Sequence, residues 1–216
     1  MAQRIVLIGA TGLVGGLSVE RLAAGGHEVH ALVRRASGRP NEKIAPPGAW
    51  PALVRELEGD LAVCAIGSTM RKAGSQAAFR AVDFDIAVDF ALAAREAGIG
   101  HMIAISSVGA NLRSSNFYLR TKGEMESALE ALGFERLDLL RPGLLRGDRG
   151  PERRLGERLG ILASPLVNLV LRGSLDRYAA IDAALVAAAV ARLAKGGSPG
   201  CFVHHNREIR GLADGD

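Results

Sequence analysis

Two hydrophobic rhythms alternate along the chain. Short, mostly apolar runs recur as RIVLIGA (4–10), HEVHALVRR (27–35), DLAVCAIG (60–67), HMIAISS (101–107) and ERLDLLRPG (135–143). Runs of this length with little polar alternation predict strands buried on both faces. Between them, apolar positions return every three to four residues in LSVERLAAGG (17–26), ALVREL (52–57), AFRAVDFDIAVDFALAAREAG (78–98) and TKGEMESALEAL (121–132). The same spacing returns in the alanine-rich IDAALVAAAVARLAKGG (181–197). These predict helices, several closed by the glycine that a helix C-terminus favours. Strand and helix in alternation predict right-handed crossovers and an α/β fold, a doubly wound parallel sheet covered on both faces. RASGRPNEKIAPPGAWP (35–51) reads as loop, with at most a short strand near Glu42–Ala45. Periodicity weakens after Gly143, which predicts one domain over 1–216 in which 144–216 forms a small C-terminal substrate lobe. That lobe would lie over the carboxyl ends of the strands, where open α/β sheets bind ligands.

Composition narrows the function classes. A chain of 216 residues, 48% hydrophobic and 23% charged, is sized for a single well-buried core. No apolar run approaches the roughly 18 residues that span a bilayer, and the glycines after RIVLI break the layout of a signal peptide. Cys64 and Cys201 stand alone, outside any disulfide or metal-ligand spacing. The expectation is a soluble, cytoplasmic protein with no membrane partner and no metal. Net charge +4 and pI near 9.5 raise nucleic acid as a partner, but only 4% of residues are aromatic, too few for a stacking platform. Basic residues are mixed with acids except in RGDRGPERRLGER (146–158), a cluster that suits a small anionic ligand better than a nucleic acid.

GATGLVGG (9–16) gives that ligand a chemistry. Gly9, Gly12 and Gly15 follow the first strand and open the first helix. The first glycine permits a tight turn, the second lets backbone approach a pyrophosphate, and the third lets helix and strand pack closely. The helix N-terminus adds N–H groups and a positive dipole end. Dinucleotide binding is the expectation. At the end of the second strand, a site selective for NAD carries an acid for the ribose 2′-hydroxyl. Here Arg34 and Arg35 stand instead, suited to a 2′-phosphate and hence to NADP(H).

YLRTK (118–122) places Tyr118 and Lys122 at the spacing of neighbours on a helix face. By itself that spacing is common. It gains meaning beside CAIGSTMRKAGS (64–75), ISSVGANLRSSNFYLRTKGEME (105–126) and LLRPGLLRGDR (139–149). With the glycine turn, these blocks resemble the atypical short-chain dehydrogenase/reductases over nearly the whole chain. The nearest likeness is to the branch of the Tat-interacting oxidoreductase-like protein and its bacterial relatives. The resemblance implies a Rossmann fold with Tyr118 as general acid/base and Lys122 holding the nicotinamide ribose. It implies a polarising serine, either Ser106 or Ser107, with Ser107 favoured as the second of the pair. Thr11, Gly12, Leu13 and Val14 fall where the family's turn meets phosphates, and Arg34 and Arg35 on its NADP-selecting pair. Ile66 and Gly67 fall beside the cofactor, as do Leu145 and Arg153, although Arg149 or Arg154 could take the place of Arg153. Asp83 stands where more distant relatives carry an asparagine, and reads as a helix-capping or solvated residue. The chain departs from the family between Arg35 and Asp60, where the loop is short and lacks the usual aspartate near the adenine.

The chemistry accounts for these residue types. Hydride transfer to a carbonyl leaves an alkoxide that needs a proton, and a tyrosine titrating near 10 is a poor donor at neutral pH. A cation about 4 Å away is worth roughly 1–4 kcal/mol, enough to lower a phenol by about one to three pH units. The leading expectation is an NADP(H)-dependent oxidoreductase acting on a small-molecule carbonyl or alcohol, as a monomer or homodimer. The rival is an NADP(H)-binding regulatory or redox-sensing protein. Sugar-nucleotide epimerisation is disfavoured, because residues 144–216 are few for the substrate lobe of such enzymes. His204 and His205 have no carboxylate or cysteine at ligand spacing and read as structural.

Overall fold

The structure is a computed structural model and describes residues 2–147 and 173–215. Its main strands are β1 (Arg4–Ile8), β2 (Glu28–Val33), β3 (Glu42–Ile44), β4 (Leu61–Cys64), β5 (His101–Ile105), β6 (Arg136–Leu140) and β9 (Gly200–His204). All seven are parallel and form one sheet in the order β3-β2-β1-β4-β5-β6-β9. Two further strands, β7 (Leu145–Arg146) and β8 (Ile181–Asp182), pair with each other beside the main sheet. The doubly wound parallel sheet expected from the alternating pattern is present.

Side chains alternate across the strands and so build two cores. Ile5 and Leu7 of β1 face α1 (Leu13–Ala24) and α7 (Ala183–Leu193), joining Leu22, Val63, Ile103 and Val190. Val6 and Ile8 face α2 (Trp50–Glu56), α5 (Ile86–Glu96) and α6 (Phe117–Ala131), joining Val54, Phe90, Met102 and Leu129. Trp50 closes the edge of this second core, its indole N–H donating to the Ala45 carbonyl at 3.0 Å. Each large apolar side chain fully buried here contributes about 1.5–3 kcal/mol, which makes these two layers the main source of rigidity beneath the site.

The chain winds outward from β1 to β3, then crosses back to β4 and winds the other way. At that reversal the loops after β1 and β4 diverge, and a crevice opens at the carboxyl ends of the strands. Three helix boundaries differ from the sequence pattern, and each bears on the crevice. Helix α1 starts at Leu13, because the glycine turn feeds straight into it. Helix α6 starts at Phe117, where the Asn116 side chain accepts the Leu119 N–H at 3.2 Å, so Tyr118 and Lys122 share its first turns. The helix expected over 78–98 is preceded by the short α3 (Met70–Ala73) and is itself divided into α4 (Gln76–Arg80), a wide π turn (Ala81–Asp85) and α5. Helix α8 (Asn206–Asp214), which the sequence pattern did not suggest, closes the chain behind a His205–Glu208 capping box.

Candidate cofactor and catalytic site

The glycine turn owes its shape to two close approaches. Gly9 has φ +90°, and a Cβ there would lie 2.3 Å from the Ala65 backbone. A Cβ on Gly15 would lie 2.1 Å from the Gly9 carbonyl oxygen. Both glycines therefore act beneath the crevice, letting the first turn of α1 sit directly on β1 and on the exit of β4. Gly12 is the N-cap, and no side chain among the described residues accepts from the leading N–H groups of α1. Leu13 and Val14 line the crevice just beyond it, while Thr11 is exposed beside the turn. The twelve-residue helix thus presents uncapped N–H donors and its positive end to the cleft.

Helix α6 supplies the opposite wall. Phe79 packs against the Tyr118 ring with centroids 5.3 Å apart, and both Tyr118 and Lys122 line the cleft. Lys122 is 4% exposed, with its Nζ 2.8 Å from Asp83 Oδ1, and Asp83 Oδ2 accepts the Ser68 N–H at 2.7 Å. Burial alone would push the Lys122 ammonium toward neutrality. The Asp83 carboxylate, with lesser help from Tyr118 and Cys64, reverses this and holds its pKa above the ordinary lysine value. Cys64, at the end of β4, is pushed up to about 11 by burial, so it is no nucleophile. Ser106 and Ser107 directly follow β5 and line the same cleft. The Ser106 N–H donates to the Leu140 carbonyl at 2.7 Å, but its Oγ is buried with no partner among the described residues. Ser107 is half-buried, and among the described residues its Oγ reaches only the Val108 carbonyl, at 3.4 Å.

The cleft has a volume of about 510 Å³, within the range of small-molecule and cofactor sites. Of the residues expected from the sequence, it brings together Gly12, Leu13, Val14, Ile66, Gly67, Ser107, Tyr118, Lys122 and Leu145. Arg34 and Arg35 are exposed directly after β2, outside this lining. Arg153 and its alternatives Arg149 and Arg154 lie outside the described residues, as do Ile161, Leu166, Val167, Leu169 and Val170, whose apolar character in the sequence suggests a pocket wall.

Asp83 is the residue that sequence reasoning undervalued: it is 1% exposed, and neither a cap nor solvated. A signal was there to read. Phe79, Asp83, Ala87, Phe90 and Ala94 recur at helical spacing and are all buried, so the aspartate interrupts an apolar stripe. Ser68, Thr69 and Lys72 also line the cleft, from the loop after β4 and from α3.

Residues 9–164 match a family described as NAD(P)H-binding. The chain belongs to that family, as an atypical short-chain dehydrogenase/reductase. It is 33% identical over 172 residues to Protein FMP52, mitochondrial, of Lodderomyces elongisporus, which covers 72% of each chain. Its likeness to the corresponding mitochondrial protein of Aspergillus niger is 32% over 198 residues, 86% of this chain and 84% of that one. Among solved structures, UDP-glucose 4-epimerase of Thermus thermophilus in complex with NAD aligns with a TM-score of 0.70 and 17% identity, over 98% of this chain and 81% of that one. At that identity the likeness is one of fold.

The cytoplasmic expectation does not stand against these relatives, which are named as mitochondrial proteins. Composition and charge do not encode the compartment, and the absence of a membrane-crossing helix among the described residues favours neither. The residues present fit a nicotinamide dinucleotide. An uncapped helix end faces the cleft for a pyrophosphate, a Cβ at Gly9 or Gly15 would collapse the turn that carries it, and a buried Ser106 hydroxyl lacks a partner among the described residues.

Proposed function

We propose that the protein is an NADP(H)-dependent oxidoreductase acting on a carbonyl or alcohol, and that 1–216 form one NAD(P)-binding domain in which 144–216 contribute the substrate side. The observation that carries this reading is that Tyr118, Lys122 and the serines at 106–107 line one cleft with the N-terminus of α1. The bound nicotinamide supplies or accepts the hydride. Gly12, Leu13 and Val14 offer backbone to the pyrophosphate, and Ile66, Gly67 and Leu145 bound the channel. Ser107 orients the substrate oxygen and stabilises its developing charge. Tyr118 donates a proton to that oxygen in reduction and removes it in oxidation. Lys122 holds the ribose and places a positive charge beside the phenol. Arg34 and Arg35, exposed at the end of β2, hold the 2′-phosphate.

The test is a carbonyl-substrate screen following NADPH absorbance, run beside Tyr118→Phe. The variant is expected to lose roughly 10²–10⁴-fold in turnover while binding NADPH as the parent does. Retained turnover in Tyr118→Phe removes Tyr118 from the mechanism. Tight NADPH binding without turnover on a broad panel favours the redox-sensing reading instead. Calorimetric titration with NADPH and NADH, repeated on Arg34→Asp, tests the phosphate preference. Equal affinities in the parent, or an unchanged preference in the variant, refute it.

A further inference from the structure

The floor of the cleft holds a carboxylate that the proposed chemistry does not use. Asp83 sits in the π turn Ala81–Asp85, where one extra residue per turn swells the helix. The swelling sets a fully buried carboxylate against α6 instead of in solvent. One oxygen lies 2.8 Å from Lys122 Nζ and the other accepts the Ser68 N–H at 2.7 Å. Gly67 completes the contact: a Cβ there would lie 3.4 Å from Asp83 Oδ1 and 3.9 Å from Lys122 Nζ. The strand-end loop that walls the cleft therefore lies directly on the ion pair.

A buried ammonium without a counter-charge sheds its proton, because its water has gone. Among the described residues, the titratable groups facing Lys122 are Asp83 from the π turn, Tyr118 from its own helix and Cys64 from the end of β4. Of these, Asp83 supplies the compensating charge. An ammonium has three donors, and the carboxylate occupies one side of it, leaving the rest toward the cleft that Lys122 lines.

We propose that Asp83 is a positioning residue: it keeps Lys122 charged and fixed at the cleft floor, and ties the Gly67–Ser68 loop to that charge. This deepens the proposed function and rests on it for the meaning of Lys122, but its test does not need turnover. Asp83→Asn keeps an acceptor for the Ser68 N–H and removes only the charge. The protein has four lysines, and Lys43, Lys72 and Lys195 are exposed. Their side-chain resonances are assigned by lysine-to-arginine exchange of those three, which leaves the signal of Lys122.

Followed by NMR from pH 6 to 9.5, Lys122 is expected to stay an ammonium in the parent and to titrate inside that window in Asp83→Asn. NADPH affinity in the variant should fall in step with that titration, where a merely structural role for Asp83 gives a loss independent of pH. A Lys122 that stays charged throughout in Asp83→Asn overturns the proposal. Should Asp83→Asn not fold, the double exchange Asp83→Asn, Lys122→Gln must restore folding, because no unpaired charge remains. A double variant that also fails to fold overturns the proposal too. A parent that binds neither NADPH nor NADH refutes the functional reading, while the lysine titration still decides the role of Asp83.

Discussion

Replacing Asp138 by alanine measures a second buried carboxylate, one that serves the sheet. Its side chain has no exposed surface. It accepts two hydrogen bonds from Arg136, at 2.7 and 3.0 Å, and faces the Nε2 atoms of His101 at 2.9 Å and His204 at 2.8 Å. These partners come from β5, β6 and β9, so the cluster binds the outer strands side by side. Removing one partner of a buried ion pair costs about 3–5 kcal/mol. The lower end applies, because Arg136 keeps the Ser198 carbonyl at 2.8 Å and the face of Phe202 at 4.6 Å. With a urea slope of about 2–3 kcal/mol/M, a loss of about 3 kcal/mol moves the unfolding midpoint down by about 1–1.5 M. The pH dependence has a definite sign. Although burial raises it, hydrogen bonds from His101, His204 and Arg136 hold the Asp138 carboxyl well below its ordinary 3.8. Its stabilisation is therefore complete above that value and is lost as pH falls toward the folded-state value. The gap between parent and variant should narrow by about 1 kcal/mol between about pH 5 and pH 3. Urea unfolding by circular dichroism at each pH reads both effects. A midpoint shift below about 0.3 M at neutral pH, or a gap unchanged at pH 3, refutes this account of the cluster.

Gly15→Ala sets a methyl 2.1 Å from the Gly9 carbonyl oxygen and 2.7 Å from its carbon, contacts that no rotamer relieves. It should cost about 1–3 kcal/mol and abolish dinucleotide binding in an NADPH titration. Gly211→Ala, in α8 with open space around it, should instead gain up to about 1 kcal/mol and leave binding intact. Equal thermal shifts for the two would refute the close-approach reading. Cys64 is buried with a thiol pushed up to about 11, whereas Cys201 is exposed. A maleimide at pH 8 should therefore label one thiol in the native protein and two after denaturation, and two native equivalents at similar rates would contradict the burial of β4.

The sheet was legible because its strands are apolar on both faces, a pattern that leaves few alternatives for DLAVCAIG or HMIAISS. The glycine turn was legible for a related reason, since close backbone approach restricts both residue type and spacing, whereas the Tyr118–Lys122 spacing is common on helices and drew its meaning from the family resemblance. Helix starts were harder to read. The first turn of α6 carries Phe117 and Tyr118 behind the serines and asparagine of RSSN, and only the Asn116 cap marks the boundary. Cross-sheet pairing was invisible in one dimension: His204 lies 66 positions from Asp138, so its partner cannot be found by local spacing. Asp83 lay between these cases, visible as a break in an apolar stripe but without its partner, because the π turn that delivers it to Lys122 leaves no mark in the periodicity.

The two buried aspartates show what separates scaffold from site. Asp138 faces an arginine and two imidazoles with both oxygens, a network whose members are mutually satisfied and which lies outside the cleft lining. Such a network has little to offer a ligand and much to lose from disturbance. Asp83 meets one N–H and one ammonium, and that ammonium borders a cleft in which the Ser106 hydroxyl is also without a partner among the described residues. Buried polar groups are nearly always satisfied in the working protein. The Ser106 hydroxyl and the Lys122 ammonium, lining one cleft with the open end of α1, therefore set the chemistry of a ligand that would fit there. It must bring an anion for the helix end, and hydroxyl or carbonyl oxygens for Lys122 and Ser106. The nicotinamide dinucleotide of an NAD(P)H-binding family meets those demands.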